Sequence, residues 1–80
     1  MASAGSLRVR IEVGFDGGQV MNALVTVDSA DALERAFVGF TDGSPQVVTL
    51  DAEDGAYHVS LRRVVYITRY AREGRVGFGS

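Results

Sequence analysis

Between Leu7 and Phe15 every second residue is apolar, with Leu7, Val9, Ile11, Val13 and Phe15 separated by Arg8, Arg10, Glu12 and Gly14. A period of two puts one set of side chains on one face of an extended chain, so the segment predicts a strand with a single buried face. The Asp16-Gly17-Gly18 that follows is turn chemistry, and a three-residue turn sets Phe15 opposite Gln19. The pairs behind it are then Val13 with Met21, Ile11 with Ala23, Val9 with Val25, and Leu7 with Val27, all of them apolar. A two-residue turn would bring Asn22 and Thr26 onto the buried face instead, so the three-residue register is preferred.

The period changes after Val27. Asp28 or Ser29 supplies a helix N-cap, Asp31 and Glu34 bring negative charge to the early turns, and Ala30, Leu33, Phe37 and Phe40 recur at helical spacing. The predicted helix runs to about Val38 and is stopped by Gly39, with Thr41-Asp42-Gly43-Ser44-Pro45 as the loop beyond it. Alternation resumes on both sides of Asp54-Gly55. Taken as a two-residue turn, that dipeptide sets Ala52 opposite Tyr57, Leu50 opposite Val59 and Val48 opposite Leu61 on one face. Asp51 then faces His58, and Thr49 faces Ser60, on the other. Arg62-Arg63 breaks the pattern and predicts a bend over residues 61 to 63, followed by a fifth strand over residues 64 to 70. The expected fold is a single small α+β domain of order ββαβββ, an antiparallel sheet with one helix packed on one face. Residues 1–6 read as a flexible leader, 7–70 as the α+β domain, and 71–80 as a basic C-terminal loop and arm.

Composition narrows the chemistry. A chain of 80 residues buries roughly 60–65% of the surface its unfolded form exposes, so its stability is modest and oligomerisation would raise it. There is no Cys and a single His, His58, which removes disulfides, thiolate chemistry and His-rich metal sites. All eight basic residues are Arg, which removes Lys Schiff-base chemistry and the P-loop lysine, and which codon bias in a GC-rich genome also produces. No run approaches the roughly 20 apolar residues that span a bilayer, and Met1 to Ser6 lacks the charged start and apolar core of a signal peptide. The expectation is a cytoplasmic protein that does not engage the membrane. Residues 62 to 80 carry five Arg against one acid, a balance of +4, whereas the first 61 carry three Arg against nine acids, a balance of −6. A basic end on an acidic body suits an anionic partner or two copies meeting end to body.

Few residues suggest catalysis. The Asp51 and His58 pair is the one acid-base pairing that the register produces, and on the outer face of a sheet it reads as a surface ion pair. Ser60 shares that face but lacks the strained elbow that exposes a nucleophile. Asp51, Glu53 and Asp54 near a hairpin tip supply about three oxygens where Ca²⁺ takes six to eight, so they read as solvated turn charges. Gly14, Gly17 and Gly18 are not followed by a helix, as a dinucleotide fingerprint requires. No catalytic, cofactor or metal residue is assigned, and no enzyme is expected.

The remaining signal is Arg62, Arg63, Arg69, Arg72 and Arg75 interleaved with Tyr66 and Tyr70, with Phe78 in a Val76-Gly77-Phe78 arm. Arg62, Arg63, Arg69, Tyr70, Arg72, Arg75 and Phe78 are accordingly the expected partner-binding residues. Such a surface suits a protein-interaction or assembly module that pairs with another protein or with a second copy to give a homo-oligomer. The alternative is nucleic-acid binding by the same side chains, with rings stacking on bases and guanidinium groups neutralising phosphates.

The run Val64-Val65-Tyr66-Ile67 and the ending Gly74-Arg75-Val76-Gly77-Phe78-Gly79 resemble a family of small actinobacterial proteins, domain-of-unknown-function family 3107. The likeness extends to the order of elements along nearly the whole chain. The present sequence departs from the family in having Ser60-Leu61 where a Pro is typical, and in carrying more Arg around Tyr66. The resemblance implies an actinobacterial, cytoplasmic protein and no particular activity.

Overall fold

The first hairpin folds in the register its alternation requires. In a computed structural model that describes residues 7–70, strand β1 (Arg8–Phe15) pairs antiparallel with β2 (Val20–Thr26), with Val9 opposite Val25, Ile11 opposite Ala23 and Val13 opposite Met21. The turn is a 3₁₀ turn over Asp16–Gly18, closed by the Phe15 amide donating to the Gln19 carbonyl at 2.8 Å. Leu7 departs from expectation: its carbonyl accepts from the Val27 amide, but its side chain lies ahead of β1 and is exposed.

Helix α1 (Val27–Val38) begins earlier than its sequence suggests. Its N-cap is Thr26, whose hydroxyl oxygen accepts from the Ser29 amide at 3.1 Å, and neither Asp28 nor Ser29 caps it. Thr26 and Val27 are both β-branched and read as a continuing strand, which hides a cap of the usual Ser/Thr type. The helix ends at Gly39, whose amide donates to the Arg35 carbonyl at 3.0 Å.

The second hairpin joins β3 (Val47–Ala52) to β4 (Gly55–Ser60), and its register differs from the expected one by two residues. Val48 pairs with Val59, Leu50 with Tyr57, and Ala52 with Gly55, so the turn residues are Glu53 and Asp54. Among the described residues none other than Gly takes a positive φ, which rules out the left-handed Asp54 that an Asp54-Gly55 turn would need; within this turn Gly55 takes one, at 141°. His58 therefore lies opposite Thr49, with Thr49 Oγ1 2.9 Å from His58 Nδ1, and Asp51 lies opposite Ala56 and pairs with Arg8. The expected Asp51 and His58 pair is not formed.

A 3₁₀ turn over Leu61–Arg63 makes the bend, and β5 (Val64–Arg69) follows, one residue shorter than expected. The sheet order is β4-β3-β2-β1-β5, so the last strand returns to lie beside the first and forms one edge. These five antiparallel strands and one helix are the α+β arrangement that the alternation implies. Ile11, Val13, Val25, Leu33 and Leu50 are fully buried between sheet and helix, with Phe37 and Phe40 packed against them. The helix covers one face of the sheet. Arg10, Glu12 and Gly14 of β1 alternate with those buried residues and belong to the opposite face. The leader 1–6 and the arm 71–80 lie outside the described residues, and no described helix is long and apolar enough to cross a membrane.

Candidate interaction surface on the last strand

β5 is built from five consecutive β-branched or aromatic residues, Val64-Val65-Tyr66-Ile67-Thr68, and it pairs antiparallel with β1. The pairing runs Ile11 with Arg69, Glu12 with Thr68, Val13 with Ile67 and Gly14 with Tyr66, and then shifts so that Phe15 meets Val64. Val65 is the extra residue of this β-bulge. The bulge explains why two adjacent valines have opposite fates, with Val64 buried and Val65 60% exposed.

Beyond the bulge, alternation sends Tyr66 and Thr68 to the open face and Ile67 and Arg69 to the helix face. Tyr66 lies across Gly14, where a Cβ would overlap the Cε2, Cδ2 and Cζ atoms of the ring. From there its hydroxyl reaches two residues back along β1 and donates to Glu12 Oε2 at 2.5 Å. Tyr70 approaches from the other end. Its amide donates to the Arg10 carbonyl at 3.0 Å, and its hydroxyl donates to Glu12 Oε1 at 2.9 Å. Each oxygen of one carboxylate is thus held by one phenol. The phenol of Tyr66, and then that of Tyr70, holds the Glu12 carboxyl below its ordinary range despite the opposing effect of burial. In return, the bond to Glu12 raises both phenols above theirs.

Compared with protein-family models, with curated proteins and with solved structures, the chain matches none.

The expected binding residues do not form one basic patch. Arg69 crosses the helix face to bond Asp31 Oδ1 at 2.7 Å and Glu34 Oε2 at 3.3 Å, both on α1. Arg63 turns to the first hairpin and meets Asp16 Oδ1 at 3.1 Å. Arg62 lies along the loop before β3, 3.2 Å from Gln46 Oε1, 3.9 Å from Asp42 Oδ1 and 6.0 Å from the centre of the Phe40 ring. Tyr70 is the one of this set that joins the open face, and Arg72, Arg75 and Phe78 lie outside the described residues. Close in sequence, the three described arginines diverge because a 3₁₀ turn and a strand's alternation point neighbours in different directions.

Sequence reasoning missed Glu12 and Gly14. Both read as ordinary outward positions of an alternating strand, and nothing local to them signals that β5 will be their neighbour. Among the described residues no group of three or more His, Asp or Glu side chains is placed to hold a metal, and at the hairpin tip Asp54 accepts from the Tyr57 hydroxyl at 3.0 Å.

The backbone of β5 carries a second feature. In an antiparallel pair, alternate residues exchange both hydrogen bonds with the partner while those between point away. The bond from Tyr70 to Arg10 fixes the phase, so Thr68 and Tyr66 bond β1, and the amides and carbonyls of Ile67 and Arg69 point outward. Because β5 is an edge strand, these groups meet no further strand among the described residues.

Proposed function

We propose that this chain is a non-enzymatic protein-interaction module that binds through the outer edge of β5 and the open face beside it. The observation that carries the reading is the preparation of β5 itself. Its inner side is fastened to β1 by Glu12, Tyr66 and Tyr70, while its outer side presents backbone donors and acceptors in the pattern that a further extended strand pairs with. Tyr66 and Tyr70 remain 39% and 40% exposed while their hydroxyls are engaged, leaving amphipathic rings with little freedom to lose on binding.

Two arguments support this reading over the others. General acid-base catalysis near neutrality needs groups shifted toward neutral pH, and the shifted groups of this face move the other way, the carboxyl down and the phenols up. Phosphate recognition needs cations available to the ligand, and Arg62, Arg63 and Arg69 already face acids of their own chain. Cytoplasmic residence and membership of family 3107 belong to the same proposal, supported by composition and by the sequence resemblance.

The test presents the native chain and a Val65→Lys variant as baits to the same cell extract at low and high salt. The expected result is a polypeptide retained by the native chain at both salts and lost with the variant. Recovery of nucleic acid alone, released by added salt, overturns the reading in favour of a phosphate binder.

A further inference from the structure

We infer that the polypeptide taken by the β5 edge is a second copy of this chain, the two β5 strands running antiparallel across a twofold axis perpendicular to the sheet. This rests on the interaction-module reading and names its partner. The two five-stranded sheets then become one continuous sheet.

Charge permits a like partner. A strand flanked by arginines would repel its own copy, since a twofold brings identical groups together. Here both flanking arginines are neutralised within the chain, Arg69 by Asp31 and Glu34 and Arg63 by Asp16. Between them, Val64 to Thr68 contains no charge and no Pro, the devices by which edge strands normally refuse a second strand. The opposite edge is less suited. β4 opens with Gly55 and Ala56, poor strand formers, next to the acidic turn of Glu53 and Asp54.

The geometry is self-consistent. The outward backbone groups belong to Ile67 and Arg69, whose side chains lie on the helix face. In an antiparallel pair, directly opposed residues share a face, so outward residues of one copy meet those of the other only when both helices lie on the same side. With Ile67 near the axis, the open faces join and the Tyr66 and Tyr70 rings of both copies flank the seam. Such an interface is isologous and closed, because each copy spends the edge that the other uses. It also gives a small domain the additional burial it lacks alone.

The experiment is sedimentation of the purified chain over a wide concentration range, with residue-resolved amide exchange on the same samples. The expected mass is twice that of the 8.5 kDa chain. The Ile67 and Arg69 amides should exchange slowly in the dimer and faster on dilution, while those of Tyr66 and Thr68 stay slow throughout. Val65→Lys, at a 60% exposed position, should give a folded monomer, and Val47→Lys, at a 54% exposed position on β3, should leave the dimer intact. A single-chain mass at every concentration overturns the inference, as does a Val65→Lys dimer whose Ile67 and Arg69 amides exchange freely. If the purified chain is monomeric but the extract yields a different polypeptide on the same edge, the second-copy inference falls and the interaction-module reading stands.

Discussion

Tyr66 lies across Gly14 so closely that the glycine's missing side chain is the space the ring occupies. A strand interior is a poor place for Gly, since it costs conformational entropy and contributes no side chain. An aromatic ring from the adjacent strand recovers that loss by covering the bare backbone. It also carries the phenol to Glu12, so that one contact serves packing and hydrogen bonding together.

Gly14→Ala should therefore cost about 1–3 kcal/mol through forced displacement of the ring. Most of that cost should vanish in a Tyr66→Ala background, because the two substitutions act on one contact. Gly43→Ala, with no atom within 4 Å of its new Cβ, should stay within about 0.5 kcal/mol of the native chain. Chemical denaturation of the four variants and the native chain measures all these values.

The hydrogen bonds around Glu12 make a definite statement about pH. The carboxyl is lowered in the folded chain, so its contribution is present above the ordinary carboxylate range and is lost as pH falls through the lowered value. Both phenols are raised, so theirs is present below the ordinary phenol range and is lost as pH rises through the raised values. The arrangement is intact across the whole interval between. In a phenolate absorbance titration, Tyr66 and Tyr70 should ionise later than a free phenol. Glu12→Gln should bring both back toward the ordinary value, since it weakens the hydrogen bonds that hold the phenols protonated and removes the charge that opposes ionisation. Unchanged titration curves in Glu12→Gln would show that the carboxylate does not hold the rings.

Much of this fold is legible in the sequence because one face of the sheet is buried and the other is not. In the first hairpin a one-residue error would send Asn22 and Thr26 inward, so the pattern selects a single register. In the second hairpin the error is two residues, which leaves Leu50, Ala52, Tyr57 and Val59 on the same face, and the pattern is blind to it. Turn geometry alone separates those two registers, and the negative φ of Asp54 decides between them. The surface around Glu12 is illegible for a different reason. It depends on strands about fifty residues apart in sequence becoming neighbours, and neither alternation nor turn chemistry specifies strand order. The cluster of arginines in sequence is likewise no guide to where they lie in space, since Arg62, Arg63 and Arg69 pair with different parts of the chain.

Gly55 is the residue on which the revised turn depends. Its φ of 141° is one that side-chain-bearing residues rarely adopt, so Gly55→Val should cost about 1–3 kcal/mol although no atom lies within 4 Å of the new Cβ. Glu53 and Asp54 have ordinary φ values, so Asp54→Ala should be tolerated apart from the bond from Tyr57. Equal thermal stability of Gly55→Val and the native chain would contradict the placement of the turn.

Leu33 is fully buried where α1 meets the sheet, and Val38, near the end of the same helix, is 84% exposed. Leu33→Ala should cost about 2–5 kcal/mol, enough to unfold much of a domain this small, whereas Val38→Ala should be close to silent. Circular dichroism melts of the two variants distinguish these outcomes directly.

The claim that the outer edge of β5 exists to be paired is tested most directly by native mass spectrometry of the chain isolated from the cells that make it, beside its Val65→Lys variant. The account predicts a native species heavier than the 8.5 kDa chain, composed of polypeptide, that collapses to the single chain in the variant. A native chain that emerges alone, or one whose added mass is unaffected by Val65→Lys, would contradict it.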